Sequence, residues 1–352
     1  MPRLRRSDCS SPGITRVRAG RGVFYRDAGG EKVTDEATLE RIAALVIPPA
    51  WKDVWISPHH NGHLQATGVD AAGRRQYLYH QAWRAQRDRE KFDRMLAFAA
   101  TLPKLRATLL GHLRLDGLPR ERALACAVRL LDLGFFRLGS EGYAEQNETY
   151  GVATLEQRHV RIDDEDQVVF DYTAKHGQRR VQVIADGEVV DVVEMLKRRR
   201  GAKSRLLAYK EGGRWHELHP PDVNAYLKEH AGECTAKDFR TWNGTVLAAI
   251  GIAVKAEDAA GSRRRHARAI VDTVKEVAFF LGNTPAVAKS SYIDPRVFDR
   301  YDSGWTIAAR VDELGGAEAF IDPEGRIALE DAVRDLLRDA GAESPALQRV
   351  GE

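Results

Sequence analysis

The chain has 352 residues, of which 43% are hydrophobic and 30% charged, with 54 Lys and Arg against 51 Asp and Glu and a formal net charge of +3. That is material for one large or two ordinary globular domains, and no apolar run approaches the ~18–20 residues a membrane helix needs. Three scattered cysteines, Cys9, Cys126 and Cys234, form no CxxC pair; they argue against a disulfide framework or a zinc ribbon and for a reducing, cytoplasmic compartment.

Residues 1–20 read as a flexible basic arm; they are arginine-rich but have no apolar h-region of the kind a signal peptide carries. From 21 to 84 the pattern is short and strand-like. GVFYRD, VWISP, HLQATG and RRQYLYH are separated by the turn signals GG, NG and AAG. The period then changes. In WRAQRDREKFDRMLAFAATL, residues Trp83, Phe92, Met95, Leu96 and Ala99 share one helical side, which sets a domain boundary near residue 84. A helix follows Pro119, with Gly134 where a C′ glycine would end it. A β insert is expected over 158–184, with the turn TAKHGQ before its last strand. Helices are expected over 188–200 and 219–231, and two longer ones over 235–281, broken near Glu257-Asp258. After residue 305 comes a C-terminal extension, 306–352, with one helix (ALEDAVRDLLRDA) and a polar, disordered end. The fold class is α+β: a small β-rich lobe followed by a larger, mostly helical domain over 85–305.

The sequence contains no GxxxxGK[ST] and no GxGxxG, so nothing supports a nucleotide cofactor. His59, His60 and His63 lie in a turn-rich context that suits solvated histidines better than metal ligands, and no carboxylate cluster resembles a two-metal site. Chemistry in this chain therefore has to run on side-chain protons and charge. Arg137 is the one charge in the apolar run Gly134-Phe135-Phe136-Arg137-Leu138-Gly139, which suits either an internal anion or an ion pair with Glu141 or Glu145. Thr235 and Asp238 read as a capping pair opening a helix, with Lys237 and Arg240 on one face of its first turn. Cations there oppose the helix dipole, which mildly favours an anion-binding role over ordinary surface charge. Lys175 sits in a hairpin turn, a position where lysine is normally just solvated. In NTPAVAKSSYIDPR, residues 283–296, Thr284 and Pro285 open a short helix and Asp294-Pro295 ends it, leaving Tyr292 near its close. Taken alone, Tyr292 is a packing residue.

The series Arg137, Lys175, Lys237-x-x-Arg240 and Tyr292 resembles the type IB DNA topoisomerases, specifically the poxvirus-like and bacterial members, over about residues 20 to 305. WKDVWISPHHNGHLQATGVDAAGRRQYLYH is similar to that family's N-terminal DNA-binding lobe. The resemblance implies that Tyr292 attacks a DNA phosphodiester to give a 3′-phosphotyrosyl link, with Arg137 and Arg240 on the non-bridging oxygens. It implies that Lys175 is the general acid for the leaving 5′-oxygen and that Lys237 supports that step. It further implies relaxation of positive and negative supercoils by a monomer closing around duplex DNA, with no ATP, metal or other cofactor. Gln76, Tyr77 and Tyr79 match residues facing the major groove, and Arg74 and Arg75 adjoin them. Arg199, Arg200, Lys203 and Arg264 belong to two basic clusters expected to touch the DNA backbone.

Asn283 departs from the pattern, which usually has His nine residues before the tyrosine. An amide N–H₂ still donates a hydrogen bond, with less charge than an imidazolium and no titration near neutral pH. A tyrosine recombinase shares the chemistry, but usually carries His-x-x-Arg where this chain has Lys237-Asp238-Phe239-Arg240, and typically binds with a helical domain. A non-catalytic duplex DNA-binding protein would not need Arg137, Lys175, Arg240 and Tyr292 together.

Overall fold

The computed structural model describes residues 3–20, 22–199 and 204–351. The chain divides into two compact units, up to Asp93 and from Arg94 onward. In the first, β1 (Ile14–Ala19), β2 (Gly22–Arg26), β3 (Lys52–Ile56), β4 (Leu64–Val69) and β5 (Arg75–Tyr79) form an antiparallel sheet of order β2-β1-β3-β4-β5, accompanied by helix α1 (Glu36–Ala44). Ile14, Ile42, Val54, Ile56 and Ala66 make its core, with Tyr25, Trp51 and Leu78 packed around them. The expected loose arm is thus shorter than residues 1–20. Ile14 is buried, and pairing with both β2 and β3 holds this segment inside the sheet.

Helix α2 (Gln81–Leu113) runs unbroken through residue 84, so the change of period marks the helix start while the units part near residue 93, inside it. The second unit continues with α3 (Arg120–Gly134), α4 (Glu141–Asn147), then β6 (Val160–Ile162), β7 (Val168–Ala174) and β8 (Gln178–Ile184) as an antiparallel meander. Next come α5 (Gly187–Lys197), the hairpin β9 (Ala208–Glu211) and β10 (Arg214–Glu217), and α6 (Pro220–Ala231). Helices α7 (Ala236–Ala259) and α8 (Arg263–Leu281) follow, separated by Ala260–Ser262, a little beyond the expected break. Then α9 (Pro285–Ser291), α10 (Arg296–Asp302), β11 (Trp305–Thr306), α11 (Ala308–Glu313), α12 (Pro323–Arg338) and β12 (Gln348–Arg349) complete the chain. No helix among the described residues is long and apolar enough to cross a membrane.

Helix α7 is the core element of this unit. Phe239, Trp242, Val246 and Ile250 are buried along it, and α3 buries Leu124, Val128 and Leu131. Truncating a side chain such as Trp242 would cost about 3–5 kcal/mol. The C-terminal end is ordered, against expectation. Trp305 pairs with Arg349 and Thr306 with Gln348, while Ala332, Val333, Leu336 and Leu337 of α12 are buried. Gly134 closes α3 as its last helical residue, and the left-handed position falls on Phe135, φ 55°. Glycine is required at 134 for space, because a Cβ there would stand 2.1 Å from the Phe136 ring.

Candidate active site

Three arginines converge on the end of α8, and the way they are held defines the site. The last carbonyls of a helix have no partner inside it and carry the negative end of its dipole. Here Arg180 Nη1 donates to the Phe279 carbonyl (2.9 Å) and its Nη2 to that of Phe280 (2.5 Å). Arg240 Nη2 donates to the Leu281 carbonyl (2.7 Å), and Arg137 Nη2 to that of Gly282 (3.0 Å). Gly282, at φ 58°, takes the left-handed turn that ends α8, and the Asn283 N–H returns to the Ala278 carbonyl (2.9 Å). Arg240 also donates through Nη1 to the Phe135 carbonyl, so the left-handed Phe135 helps aim it.

None of these guanidiniums has a carboxylate partner among the described residues. Glu141, one of the two expected partners of Arg137, bonds Arg205 and His219 instead. Arg240 is 3% exposed, and burial, followed by the nearby Arg137 charge, pulls its pKa down to about 10. It stays cationic near neutral pH. Burial likewise lowers Arg180. Two donors in this cluster have no partner among the described residues: the Arg240 Nε and the Asn283 Nδ2, whose side-chain oxygen accepts from Arg137 (2.8 Å). Buried donors left open beside clustered positive charge are what an anion site offers.

Tyr292 stands against this cluster. As expected, Thr284 caps α9 through its hydroxyl, Pro285 occupies the first turn, and Tyr292 closes the helix. The Arg240 guanidinium carbon lies 5.1 Å and the Lys237 Nζ 5.9 Å from the centre of its ring. Lys237 and Arg240 share the first turn of α7, where the Asp238 carboxylate accepts from the Thr235 N–H (2.7 Å) as the capping pair requires. Gly244, one turn further, lets the Tyr292 backbone approach. A Cβ there would be 2.9 Å from the Tyr292 carbonyl oxygen. Arg137, Arg240, Asn283, Lys237 and Tyr292 are therefore brought together. Lys175 sits exposed at the turn after β7, and its side chain makes no hydrogen bond or ion pair among the described residues.

On the N-terminal unit, β5 is an edge strand, and Arg75, Tyr77 and Tyr79 lie on its exposed face, with the two tyrosine rings stacked 6.2 Å apart. Gln76 falls on the other face by the two-residue period and donates to Asp70 (2.9 Å), so it does not share a surface with the tyrosines. Arg74 pairs with the same carboxylate. Of the basic clusters, Arg264 is exposed on the first turn of α8. Arg199 is half-buried, donating to the Arg205 and Leu206 carbonyls and lying over the Trp215 ring at 5.1 Å. Arg200 and Lys203 lie outside the described residues. Sequence reasoning missed Arg180. Its signal was the position itself, on the strand that follows the Lys175 turn.

Residues 80–309 match the family described as eukaryotic DNA topoisomerase I, catalytic core, and residues 22–70 match the N-terminal domain of bacterial DNA topoisomerase IB. The chain is 29% identical over 299 residues to DNA topoisomerase 1B of Acanthamoeba polyphaga mimivirus, covering 83% of this chain and 88% of that protein. It is 22% identical over 295 residues to DNA topoisomerase 1B of vaccinia virus, covering 79% and 89%. To DNA topoisomerase 1 of Mycosarcoma maydis it is 25% identical over 212 residues, 56% of this chain and 20% of the longer fungal protein. With the catalytic-core match spanning well over half of its length, behind a matched bacterial N-terminal domain, the chain belongs to the type IB DNA topoisomerases, a family of isomerases.

Proposed function

We propose that this enzyme relaxes positively and negatively supercoiled duplex DNA by cutting one strand, letting it rotate and resealing it, without ATP or metal. The Tyr292 oxygen attacks phosphorus and loses its proton, the bond from phosphorus to the 5′-oxygen breaks, and that oxygen takes up a proton. The 3′-phosphotyrosyl ester conserves the bond energy, so the reverse attack by the 5′-hydroxyl reseals the strand. Arg137 and Arg240 hold the non-bridging oxygens in guanidinium forks, and the Asn283 Nδ2 adds a neutral donor. Each such donor is typically worth about 10²–10³ in rate. Lys175, on its hairpin tip, delivers the proton to the leaving oxygen once DNA is bound, with Lys237 in support. The observation that carries this reading is the set of carboxylate-free arginines and open donors beside Tyr292.

In this reading the N-terminal lobe presents Tyr77 and Tyr79 to the duplex, exposed arginines such as Arg264 touch the backbone, and the protein works as a cytoplasmic, nucleoid-associated monomer. The test is relaxation of a supercoiled plasmid in EDTA without ATP, wild type beside Tyr292→Phe. Relaxation of both supercoil signs, abolished by the phenylalanine, supports the proposal. A denaturant-trapped adduct at a 3′-phosphate without relaxation would point to strand transfer by a recombinase. Neither relaxation nor adduct would leave a DNA-binding protein.

A further inference from the structure

The segment after residue 309 lies beyond the catalytic-core match, yet it sends one buried side chain to the back of the site. Arg326 on α12 is 5% exposed. Its Nη2 donates to the Asp132 carbonyl (2.7 Å), the Asp132 carboxylate (3.3 Å) and the Asn243 side-chain oxygen (3.0 Å). Its Nε donates to Glu330 (3.1 Å). Asn243 in turn donates through Nδ2 to the same Asp132 carbonyl (2.9 Å), and Arg106 bridges Asp132 and Glu330. Asp132 is in the last turn of α3, just before Phe135 and Arg137. Asn243 is three residues after Arg240, hence one turn behind it on the same face of α7.

We infer that Arg326 is a positioning residue for this site: it locks the end of α3 to the first turns of α7 and so sets the distance between Arg137 and Arg240. The geometry suits that task. One guanidinium plane reaches both helices, and its contacts are buried, so their lengths are not exchanged for water. Two arginines gripping one phosphate need their spacing held to fractions of an ångström, and a misplacement of about 1 Å costs on the order of 10²-fold in rate. The inference rests on the reading of Arg137 and Arg240 given above.

The test compares wild type, Arg326→Ala, Arg326→Lys and Asn243→Ala, each as the full chain, in single-turnover covalent cleavage of a duplex oligonucleotide at saturating protein. DNA affinity and thermal unfolding are measured in parallel. The expected result is a roughly 10–100-fold slower cleavage for Arg326→Ala with affinity nearly unchanged, partial recovery in Arg326→Lys, and a loss of similar order in Asn243→Ala, which removes both the Arg326 contact on α7 and the direct bond from α7 to the Asp132 carbonyl. If Arg326→Ala does not fold, Arg326→Lys and Asn243→Ala decide. Folded variants that cleave at the wild-type rate, whatever their melting temperatures, overturn the inference. Absence of cleavage by wild type would instead overturn the function proposed above.

Discussion

Substituting Gly244 by alanine tests whether Tyr292 is placed by its backbone. The added Cβ would be 2.9 Å from the Tyr292 carbonyl oxygen, 3.2 Å from Leu281 Cδ1 and 3.5 Å from Tyr292 Cβ, whereas ordinary contact begins near 3.4 Å. The first of these is main chain, which no rotamer change relieves, so Tyr292 has to retreat by about 0.5 Å, the difference between the two distances. At on the order of 10²-fold per ångström, that displacement slows covalent cleavage about tenfold. Stability moves less. Overpacking costs about 1–3 kcal/mol, and replacing a helical glycine by alanine returns about 1 kcal/mol, which leaves a net loss of about 0–2 kcal/mol. The assay is single-turnover adduct formation beside thermal unfolding, with Gly251→Ala as the control. That glycine lies two turns along the same helix, and its Cβ would meet only side-chain atoms of Thr273 and Glu276. Wild-type cleavage by a folded Gly244→Ala protein would refute the argument.

Three further outcomes are expected. Burial alone would raise the Asp132 carboxyl, but Arg326 and Arg106 more than offset it and hold it well below the usual carboxylate range. A depressed acid stabilises the fold above its unfolded pKa of about 3.9 and loses that stability as pH falls below it. Asp132→Asn should therefore lower the melting temperature at pH 7 and flatten its decline below about pH 4, as differential scanning calorimetry would show. Wild-type cleavage should show no titration from Asn283, while Asn283→His should add an acceleration toward acid below about pH 6.5; a pH–rate profile identical to wild type would contradict the donor role of this side chain. Tyr77→Ala should weaken duplex binding several-fold in a fluorescence titration, and Gln76→Ala, on the other face of β5 against Asp70, should change it little.

Much of the site was legible because it is local. The Thr284-Pro285 start before Tyr292 and the Thr235–Asp238 pair before Lys237 and Arg240 depend on residues three or four apart, and the structure forms both. The β insert was legible for the same reason, as alternating segments joined by a turn. What escaped depends on contacts distant in sequence. Arg180 becomes a site residue only because the meander brings β8 to the end of α8, ninety-nine residues on. Arg199 read as surface charge because composition does not reveal the carbonyls of Arg205 and Leu206 that it reaches. Ile14–Ala19 carries Arg16 and Arg18 on the same face as the buried Ile14, where they reach the carbonyls of Ile47, Pro48, Pro49 and Trp51, and those charges hid a strand paired on both sides. The C-terminal end read as polar disorder because a two-residue strand leaves no periodic signal.

Carbonyl dipoles orient a guanidinium without cancelling its charge, whereas a carboxylate would be a resident counter-anion that the phosphodiester had to displace. With Arg137, Arg180 and Arg240 all seated on carbonyls, the function proposed above predicts that their cluster acts as a small anion exchanger. Phosphate or sulfate should then slow plasmid relaxation more than acetate does at equal ionic strength, and equal slowing by all three would contradict it. On that expectation the identity of the salt, as well as its concentration, would set the rate of this enzyme.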